Sequence, residues 1–549
     1  MKLPKRLWQV SPLLISLIGG ILMGLTPSPV EAWFLGWIAL APLWIAVSLL
    51  YGQDTSTGGT SGNAKSLITT LCQAARYGLV WGIGYHGLSL SWITGVHPMD
   101  WMGVPWLASI AIAFFCWAFI TLWGAILVAL WAAGMTLLNS KWLYPSTLTT
   151  FRILTRVLVG TALWCSLESL WSAGSLWWTS LSYTQSPHNL VILHLGQLSG
   201  PTTVTAAIVA VNGLIAEAGI RYLYSKPSKV GFFNVQSPLI YLGLAAGLFV
   251  VLHLIGFGLY SRPLIQPTQA ALKVGIIQGN IPNRIKLYPA GWQKAIEGYT
   301  TGYKTLADEG VEAVLTPETA LPFLWKEQVR LRSSFYSAIL DKGVLAWVGA
   351  FGEKGESLTN SLFTVTGTGE TVSHYNKVKL VPLGEYIPFE QALGKLINRL
   401  SPLDAHLAAG QPNQTFDTPF GQAIASICYE SAFAKHFRRQ TAQGGEFILS
   451  ASNNAHYSKT MPAQHHAQDV MRAIESDRWA VRATNTGYSG IVNPHGRTLW
   501  LSGINTYEIH ADTIYRRQTR TLYVRWGDWL TPVLLGLAAV ALTAQIKSS

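Results

Sequence analysis

Charge is what this 549-residue sequence has least of: only 12% of its residues are charged, whereas half are hydrophobic. A soluble domain of ordinary composition carries about 25% charged residues. This shortage argues against a wholly soluble protein that keeps its apolar runs as buried core helices. It indicates a protein integral to a membrane.

Long apolar runs alternate with short polar loops in the first half of the chain and return at its end. Each run approaches or exceeds the roughly 18–20 residues that a helix needs to cross a bilayer. We therefore predict eight transmembrane helices, at 8–26, 32–51, 77–96, 106–134, 157–180, 191–218, 238–260 and 528–546. Glu168, inside the fifth, is expected either to fix helix packing through hydrogen bonds or to contact a substrate.

Lysine and arginine are missing from every second loop between these helices. The loops at 27–31, 97–103 and 184–190 contain neither. The basic residues before residue 262 all belong to the other side: Lys2, Lys5, Arg6, Lys65, Arg76, Lys141, Arg152, Arg156, Arg221, Lys226 and Lys229. The positive-inside rule makes that side cytoplasmic. We expect a multi-pass protein of the inner membrane with both termini in the cytoplasm.

The composition changes after the seventh apolar run. Residues 266–520 have ordinary charge content and are predicted to form one soluble domain on the periplasmic side, between a seven-helix domain, 1–265, and a closing helix, 521–549. The predicted strands alternate with helices, which indicates an α/β layered domain. The strands are 273–278, 312–317, 344–351, 361–366, 423–428 and 446–451; the helices are 291–307, 326–340, 430–442 and 463–478.

Several functional signatures are missing as well. No HExxH motif or Cys/His cluster accompanies the "QHH" at 464–466, so no metal site is predicted. No phosphate-binding loop is evident, and no cofactor is predicted. The net charge of +12 does not indicate a nucleic-acid partner, because many of the basic residues are topology signals.

Cysteine is scarce, and one of the four cysteines is isolated. Cys72, Cys116 and Cys165 lie in the helical half, whereas Cys428 is alone in the soluble domain. A free thiol on the oxidising side of a membrane is a liability unless it is buried or used. Cys428 also stands where an apolar strand meets a predicted helix, a place at which a sulfur can be exposed to substrate.

Three stretches of the soluble domain can supply reactive groups: "LTPETALPF" with Glu318, "YNKVKLVPLGEYIPF" with Lys377, Lys379 and Glu385, and "ICYESAF" with Cys428 and Glu430. A partly shielded carboxylate, its pKa raised by burial, can take the proton of a thiol during attack. An ammonium group beside both favours the thiolate and stabilises an oxyanion. Glu, Lys and Cys therefore suffice for acyl transfer through a thioester.

Each of these residues also has a structural explanation. Cys428 can be a buried small hydrophobic residue, and Glu318 a helix N-terminal charge. Lys377 and Lys379 can be solvated strand residues, and Glu385 a surface turn acid. A Cys–His pair also stays open, because the chain has 13 histidines.

Together the three stretches resemble the nitrilase superfamily, whose members place Glu after an apolar strand, Lys in a Y-x-K-x-x-L stretch and Cys at a strand–helix turn. The chain as a whole resembles the apolipoprotein N-acyltransferase family. The motifs are "VGIIQGNIP" (274–282), "LTPETALP" (315–322), "YNKVKLVPLGEYIPF" (375–389), "ICYE" (427–430), "RATNTGYSGIVNPHG" (482–496) and, in the membrane part, "WGIGYHGLSLSWI" (81–93). Two positions depart from that pattern: Leu287 replaces a common Trp, and "NNAHY" (453–457) replaces N-D-A-W-F.

The resemblance implies a fold and a set of roles. The fold is an eight-helix α-helical membrane domain that carries an α/β nitrilase-like domain, a four-layer αββα sandwich. The implied roles are Glu318 as general base, Lys377 as the oxyanion-stabilising cation, Cys428 as nucleophile, Glu385 as a supporting acid, and Tyr429 and Glu430 as residues beside the nucleophile.

The resemblance also implies a reaction. Cys428 takes an acyl chain from a membrane phospholipid, and the N-terminal amine of a diacylglyceryl-modified cysteine on a lipoprotein then attacks the thioester. The alternatives are a membrane-anchored nitrilase-type amidase that hydrolyses its thioester with water, and a scaffold or transporter without enzymatic activity. Residues 383–410 are expected to include an arm toward the lipid or an ordinary surface helix. The oligomeric state is not predicted.

Overall fold

A computed structural model describes residues 11–54, 64–100, 103–142, 150–224, 237–382, 384–386, 407–455 and 457–547. These residues form two parts, called here the helical domain and the sheet domain. The predicted arm at 383–410 lies mostly outside the described residues.

The helical domain is built from apolar helices of very different lengths. They are α1 Pro12–Gly24, α2 Ala41–Asp54, α3 Ala64–Ser89, α4 Trp106–Trp142, α5 Thr150–Ala173, α6 Leu190–Leu193, α7 Gly196–Ser199, α8 Pro201–Tyr224, α9 Pro238–Tyr260 and, at the end of the chain, α17 Leu530–Lys547. Among the described residues, six segments are long and apolar enough to cross a membrane. They include α4, α5, α8, α9 and α17. The total of eight spans stays a prediction.

Several predicted spans begin at the wrong residue, and a buried ion pair accounts for one of them. The span predicted at 77–96 begins earlier, at Ala64, as α3. Arg156 was placed in a loop before a span at 157–180, but α5 already begins at Thr150 and Arg156 lies within it. Its guanidinium is buried and forms an ion pair with Glu217 of α8. An arginine paired in this way tolerates the interior of a helical domain. The predicted span at 191–218 is replaced by α6, α7 and the later α8.

Glu168 of α5 holds neighbouring segments of the helical domain together. Its carboxylate accepts hydrogen bonds from the backbone N–H of Leu181 (2.8 Å), from Ser180 Oγ (2.9 Å) and from Thr205 Oγ1 of α8 (2.9 Å). These contacts favour the packing interpretation of this buried acid over a contact with substrate.

The sheet domain contains two sheets of mixed direction. The strands are β1 Ala271–Gln278, β2 Ala313–Leu315, β3 Leu321–Leu324, β4 Leu345–Lys354, β5 Ser357–Val365, β6 Thr371–Asn376, β7 Phe416–Thr418, β8 Gly421–Ile427, β9 Phe447–Ser452, β10 Ala480–Thr484, β11 Gly490–Val492, β12 Thr498–Leu501 and β13 Glu508–Tyr515. The first sheet has the order β13-β1-β2-β4-β5-β6 with β3 beside β4, and the second β12-β11-β10-β9-β8-β7. Parallel pairs form the centre of each sheet.

Apolar side chains from both sheets meet in one cluster, so the sheets lie face to face. Helices cover the outer faces. The helices of this domain are α10 Asn283–Lys286, α11 Pro289–Asp308, α12 Glu327–Arg330, α13 Ser334–Lys342, α14 Ala434–Gln443, α15 Thr460–Ser476 and α16 Leu522–Trp526, the last of which contacts α7, α14 and α15. A second cluster joins α11 and α13 to the first sheet, while α14 and α15 contact strands of the second. The layers therefore run helix, sheet, sheet, helix.

The six predicted strands are all present, with ends displaced by a few residues. Strands β3, β6, β7 and β10–β13 were not predicted. The predicted helix at 430–442 begins later, because residues Cys428–Ala432 form a 3₁₀ turn before α14.

The sheet domain rests on the loops of the helical domain that lack lysine and arginine. Gln464 of α15 donates to the carbonyl of Ser28 (3.1 Å) and accepts from Trp92 Nε1 (3.2 Å). Ser186 Oγ donates to the carbonyl of Ala467 (2.6 Å). The sheet domain thus lies against the loops at 27–31 and 184–190 and against the residues just before the loop at 97–103.

Candidate active site

Three predicted site residues follow the C-terminal ends of strands. Glu318 comes three residues after β2, Lys377 directly follows β6, and Cys428 directly follows β8. Such strand ends, where a rigid sheet passes into a loop, are where α/β folds collect functional groups.

Glu318, Lys377 and Glu385 form one hydrogen-bonded cluster, in which Glu318 and Lys377 are buried and Glu385 is partly exposed. Lys377 Nζ donates to Oε1 of Glu318 (3.0 Å) and to Oε1 of Glu385 (2.9 Å). Asn360 Nδ2 donates to the same two oxygens, at 2.7 and 3.0 Å. The second oxygen of Glu385 accepts from the backbone N–H of Val381 (2.8 Å). One ammonium and one amide thus hold two carboxylates side by side.

The ion pair keeps both of its members charged. Burial alone raises the pKa of Glu318, but Lys377 and then Lys286 outweigh it, so that this pKa lies below its ordinary value. Burial alone lowers the pKa of Lys377, but Glu318 and Glu385 raise it well above its ordinary value. The expectation of a raised pKa at Glu318 is therefore wrong, because the neighbouring cations stabilise the carboxylate more than burial destabilises it.

Cys428 occupies a tight turn beside this cluster. Its φ is 53°, in the left-handed region that few residues other than glycine adopt. Its sulfur lies 3.9 Å from the carbonyl oxygen of Asn453. Burial raises the pKa of the Cys428 thiol to about 12; the charge of Glu318 adds to this effect and that of Lys377 opposes it.

The resting sulfur is therefore a protonated thiol beside an ionised carboxylate. A thiol of this kind becomes a nucleophile when a base removes its proton during attack. The structure places an ionised Glu318 close enough for its charge to act on the thiol. This arrangement suits general-base activation better than a preformed thiolate.

The Cys–His alternative is not supported by the nearby histidine. His465 Nε2 lies 2.7 Å from the carbonyl oxygen of Cys428, and its Nδ1 lies 3.3 Å from Asn454 Nδ2. Burial holds the pKa of His465 well below its ordinary value. The imidazole is therefore neutral, and it supports the backbone of the turn through the carbonyl of Cys428.

Glu430 organises the turn around Cys428. Its carboxylate is fully buried and accepts from the backbone N–H groups of Val378 (2.7 Å), Lys379 (3.1 Å) and Ile427 (2.7 Å). Tyr375 Oη donates to it as well, at 2.9 Å. These bonds tie the residues after Lys377 to the residue before Cys428. Glu430 thus joins the ends of two strands that belong to different sheets.

Tyr429 joins the turn to the helical domain. Its hydroxyl donates to the carbonyl of Ser175 (2.7 Å) and accepts from the backbone N–H of Trp177 (3.0 Å). Its ring is nearly parallel to that of Trp178, with the ring centroids 6.1 Å apart. The residue next to Cys428 is therefore fixed on the segment that follows α5.

Sequence reasoning missed two residues of the site. Asn360 lies within β5, where no neighbouring motif marks it, and its role depends on the pairing of β5 with β6. Lys286 is the last residue of α10, and its Nζ donates to the carbonyl of Glu318 and to Thr319 Oγ1, both at 2.9 Å. Lys286 directly precedes Leu287, one of the positions that depart from the family pattern.

The other unusual stretch also borders the site. Asn453 Nδ2 donates to Asn283 Oδ1 (3.0 Å), which links the end of β9 to α10. The ring of Tyr457 lies edge-on to Trp92 at 4.9 Å. His456 lies outside the described residues.

The histidines of "QHH" bond to protein groups. His466 Nε2 lies 2.9 Å from Thr498 Oγ1, and His465 bonds to Cys428 as described above. Among the residues that the structure describes, no group of three or more His, Cys, Asp or Glu side chains is arranged to hold a metal ion.

Comparison with known families matches both parts of the chain. Residues 273–519 match the carbon-nitrogen hydrolase family. Residues 19–214 match the apolipoprotein N-acyltransferase N-terminal domain. The two matches divide the chain much as the two structural domains do.

Curated relatives match nearly the whole chain, and a solved structure matches about half of it. An apolipoprotein N-acyltransferase of Nostoc sp. is 59% identical over 95% of this chain and 97% of its own length. One of Synechocystis sp. is 49% identical over 95% and 99%. A crystallised amidase of the nitrilase superfamily from Nesterenkonia AN1 is 18% identical, with a TM-score of 0.35, over 48% of this chain and 96% of its own.

Proposed function

The chain belongs to the apolipoprotein N-acyltransferase family, and from that membership and the geometry of the site we propose that it transfers an acyl chain from a membrane phospholipid to a lipoprotein. The acceptor is the N-terminal amine of a diacylglyceryl-modified cysteine. The acyl chain is carried between donor and acceptor as a thioester on Cys428.

The observation that carries this proposal is that a hydrogen-bonded Glu–Lys–Glu cluster lies beside the turn of Cys428. That turn is itself hydrogen-bonded to the segment that follows the apolar helix α5. Lys377 joins Glu318 and Glu385, and Tyr429 fixes the turn of Cys428 on residues 175–177. A soluble amide substrate does not require a site attached to apolar helices. A phospholipid and a lipid-modified peptide do, because both remain in the bilayer.

The first half-reaction forms the thioester. Glu318 takes the proton of the Cys428 thiol as the sulfur attacks the ester carbonyl of the phospholipid. The negative charge that develops on the carbonyl oxygen is stabilised by the nearby ammonium of Lys377. Collapse of the tetrahedral intermediate breaks the ester C–O bond. Glu318 returns the proton to the departing glycerol oxygen, and a lysophospholipid leaves.

The second half-reaction forms the amide. The N-terminal amine attacks the thioester carbonyl, and Glu318 accepts one of its protons. Expulsion of the sulfur breaks the C–S bond, and the proton returns to Cys428. The overall change, from ester through thioester to amide, is a ping-pong acyl transfer that consumes no nucleotide.

The proposed orientation follows from the contacts between the sheet domain and the helical domain. The loops without lysine and arginine hold the sheet domain through Ser28 and Ser186, and Trp92 holds it from just before the loop at 97–103. By the positive-inside rule, those loops face the periplasm. We infer that the site lies at the periplasmic leaflet, with both chain termini in the cytoplasm and eight spans in all.

The test is the mass of the product. Purified protein in phospholipid vesicles is incubated with a synthetic diacylglyceryl lipopeptide that has a free N-terminus. We expect the lipopeptide to gain one acyl chain when it is incubated with the wild-type protein or with the control variant Cys72→Ala. It should gain none with Cys428→Ala. Release of free fatty acid with an unchanged lipopeptide would instead identify a hydrolase.

A further inference from the structure

A second buried lysine lies beside the site, and nothing in the proposed reaction uses it. Lys286, at the end of α10, is 4% exposed. Burying an ammonium is costly unless it is paired and hydrogen-bonded. Its Nζ donates to the carbonyl oxygen of Glu318 and to Thr319 Oγ1, both at 2.9 Å. Both partners belong to the turn that presents the carboxylate of Glu318.

That turn has an unfavourable backbone. Thr319 has a φ of 43°, which a β-branched residue seldom adopts. Such conformations persist only where surrounding contacts fix them. Lys286 supplies two of those contacts, one to each residue of the turn. The position of the Glu318 carboxylate therefore depends on a side chain from a different segment of the chain.

Among the four described charged groups that are hydrogen-bonded around Glu318, positive and negative charges balance only when Lys286 is counted. Glu318 and Glu385 contribute two negative charges, and Lys377 contributes one positive charge. A protonated Lys286 brings the sum to zero. Movement of a proton from Cys428 to Glu318 leaves this sum unchanged. Without the charge of Lys286, a negative sulfur would form in a pocket that already carries an excess negative charge.

On the basis of the proposed function, we propose that Lys286 is a positioning residue of the acyl-transfer reaction. It fixes the Glu318–Thr319 turn and supplies the second positive charge against which the sulfur of Cys428 becomes negative. Lys286 keeps its own proton throughout, and the proton of the thiol passes to Glu318.

This inference predicts a particular pH dependence. Burial lowers the pKa of Lys286 to about 8, against the opposing charge of Glu318. Lys377 and Glu385 are the other charged groups of this hydrogen-bonded cluster, and the buried carboxylate of Glu430 lies two residues beyond Cys428. Lys286 is protonated below this pKa and loses its charge above it. The rate of thioester formation should therefore fall as the pH rises through about 8.

The experiment measures thioester formation alone, so that titration of the acceptor amine does not enter. Full-length protein in phospholipid vesicles is mixed without acceptor, and the acylated fraction is followed by intact-protein mass spectrometry across the pH range. The variants are Lys286→Met and Lys286→Arg. The matched control is Lys294→Met, which removes an exposed lysine of α11.

In Lys286→Met, we expect the rate of thioester formation near neutral pH to be at least about tenfold lower than in the wild type. The decline of that rate at alkaline pH should also be absent. Lys286→Arg should recover part of the rate and keep it above pH 8, because a guanidinium stays protonated. Lys294→Met should behave as wild type. Thermal unfolding of each variant separates loss of charge from loss of fold.

Two results would overturn the inference. One is a rate of thioester formation in the wild type that shows no decline as the pH rises through about 8. This result requires no variant. The other is a Lys286→Met protein with the wild-type rate and profile. Both differ from failure of the proposed function, in which wild-type protein forms no thioester at any pH.

Discussion

At the scale of single residues, the general base of the site is charged at rest, whereas the nucleophile is not. Glu318 is ionised at rest because Lys377 and Lys286 stabilise its carboxylate, whereas burial keeps Cys428 protonated. The thiol is thus unreactive until an acyl carbonyl is in place to accept the sulfur as its proton leaves. A protonated thiol is also less prone to oxidation, because oxidants attack thiolates.

The two lysines of "NKVKL" should differ sharply in importance. Lys377 is 1% exposed and bonds to two carboxylates, whereas Lys379 is half-buried with its ammonium 4.7 Å from the ring of Phe433. We expect Lys377→Ala to slow thioester formation by about a hundredfold or more, the range for loss of an oxyanion-stabilising group. Lys379→Ala should change it by less than about threefold. Similar losses in both variants would contradict this assignment.

At the scale of secondary-structure elements, the strand ends before Glu318 and Cys428 were predictable because each strand is an apolar run. The runs before Glu318 and Cys428 end in polar, turn-forming sequence, and β2 and β8 end within a few residues of the expected positions. Lys377 was predicted from its motif, although β6 before it was not. Asn360 and Lys286 could not be predicted in this way. Their contacts depend on how β5 pairs with β6 and on how α10 folds back over the site.

The helix boundaries show the same limit. Arg156 reads as a loop residue because an isolated charge is costly in a span. Its partner Glu217 is 61 residues away in the sequence, and no local pattern joins the two. Once they are paired, the helix extends through the charge. Composition thus predicted the membrane class, whereas the pairing of Arg156 with Glu217 explains how α5 includes a charged residue.

Glu430 provides a prediction at this scale, because it ties two strand ends together. Glu430→Gln replaces one acceptor oxygen with an NH₂ group that faces backbone N–H donors. An unsatisfied buried polar group costs about 1–3 kcal/mol, so we expect a lower thermal unfolding midpoint and slower thioester formation. The control is Glu356→Gln, which changes an exposed turn residue. An unchanged midpoint and rate in Glu430→Gln would show that the carboxylate does not organise the turn.

At the scale of the whole molecule, the helical domain positions the site as well as anchoring it. Tyr183 Oη donates to the carbonyl of Ala432 (2.8 Å), and Tyr429 bonds to residues 175 and 177. The 3₁₀ turn that begins at Cys428 is therefore held at both ends by the segment between α5 and α6. In the proposed reaction, the acyl donor and the acceptor, both confined to the bilayer, would approach the sulfur from the side on which those helices stand.

The orientation yields a separate prediction. A membrane-impermeant maleimide should label Lys294→Cys, on the exposed face of α11, in intact spheroplasts. It should label the exposed Cys72 only after the membrane is permeabilised. The reverse pattern would place the sheet domain in the cytoplasm and contradict the positive-inside assignment.

The central claim is that one sulfur carries the acyl chain, and mass spectrometry of the intact protein tests it most directly. After incubation with phospholipid of a single acyl composition and no acceptor, wild-type protein should gain the mass of one acyl group. The group should be released by hydroxylamine and map to Cys428. Glu318→Gln should gain it far more slowly, and Cys428→Ala not at all. An acyl group that persists in Cys428→Ala, or a wild-type protein that never acquires one while transfer proceeds, would contradict the account.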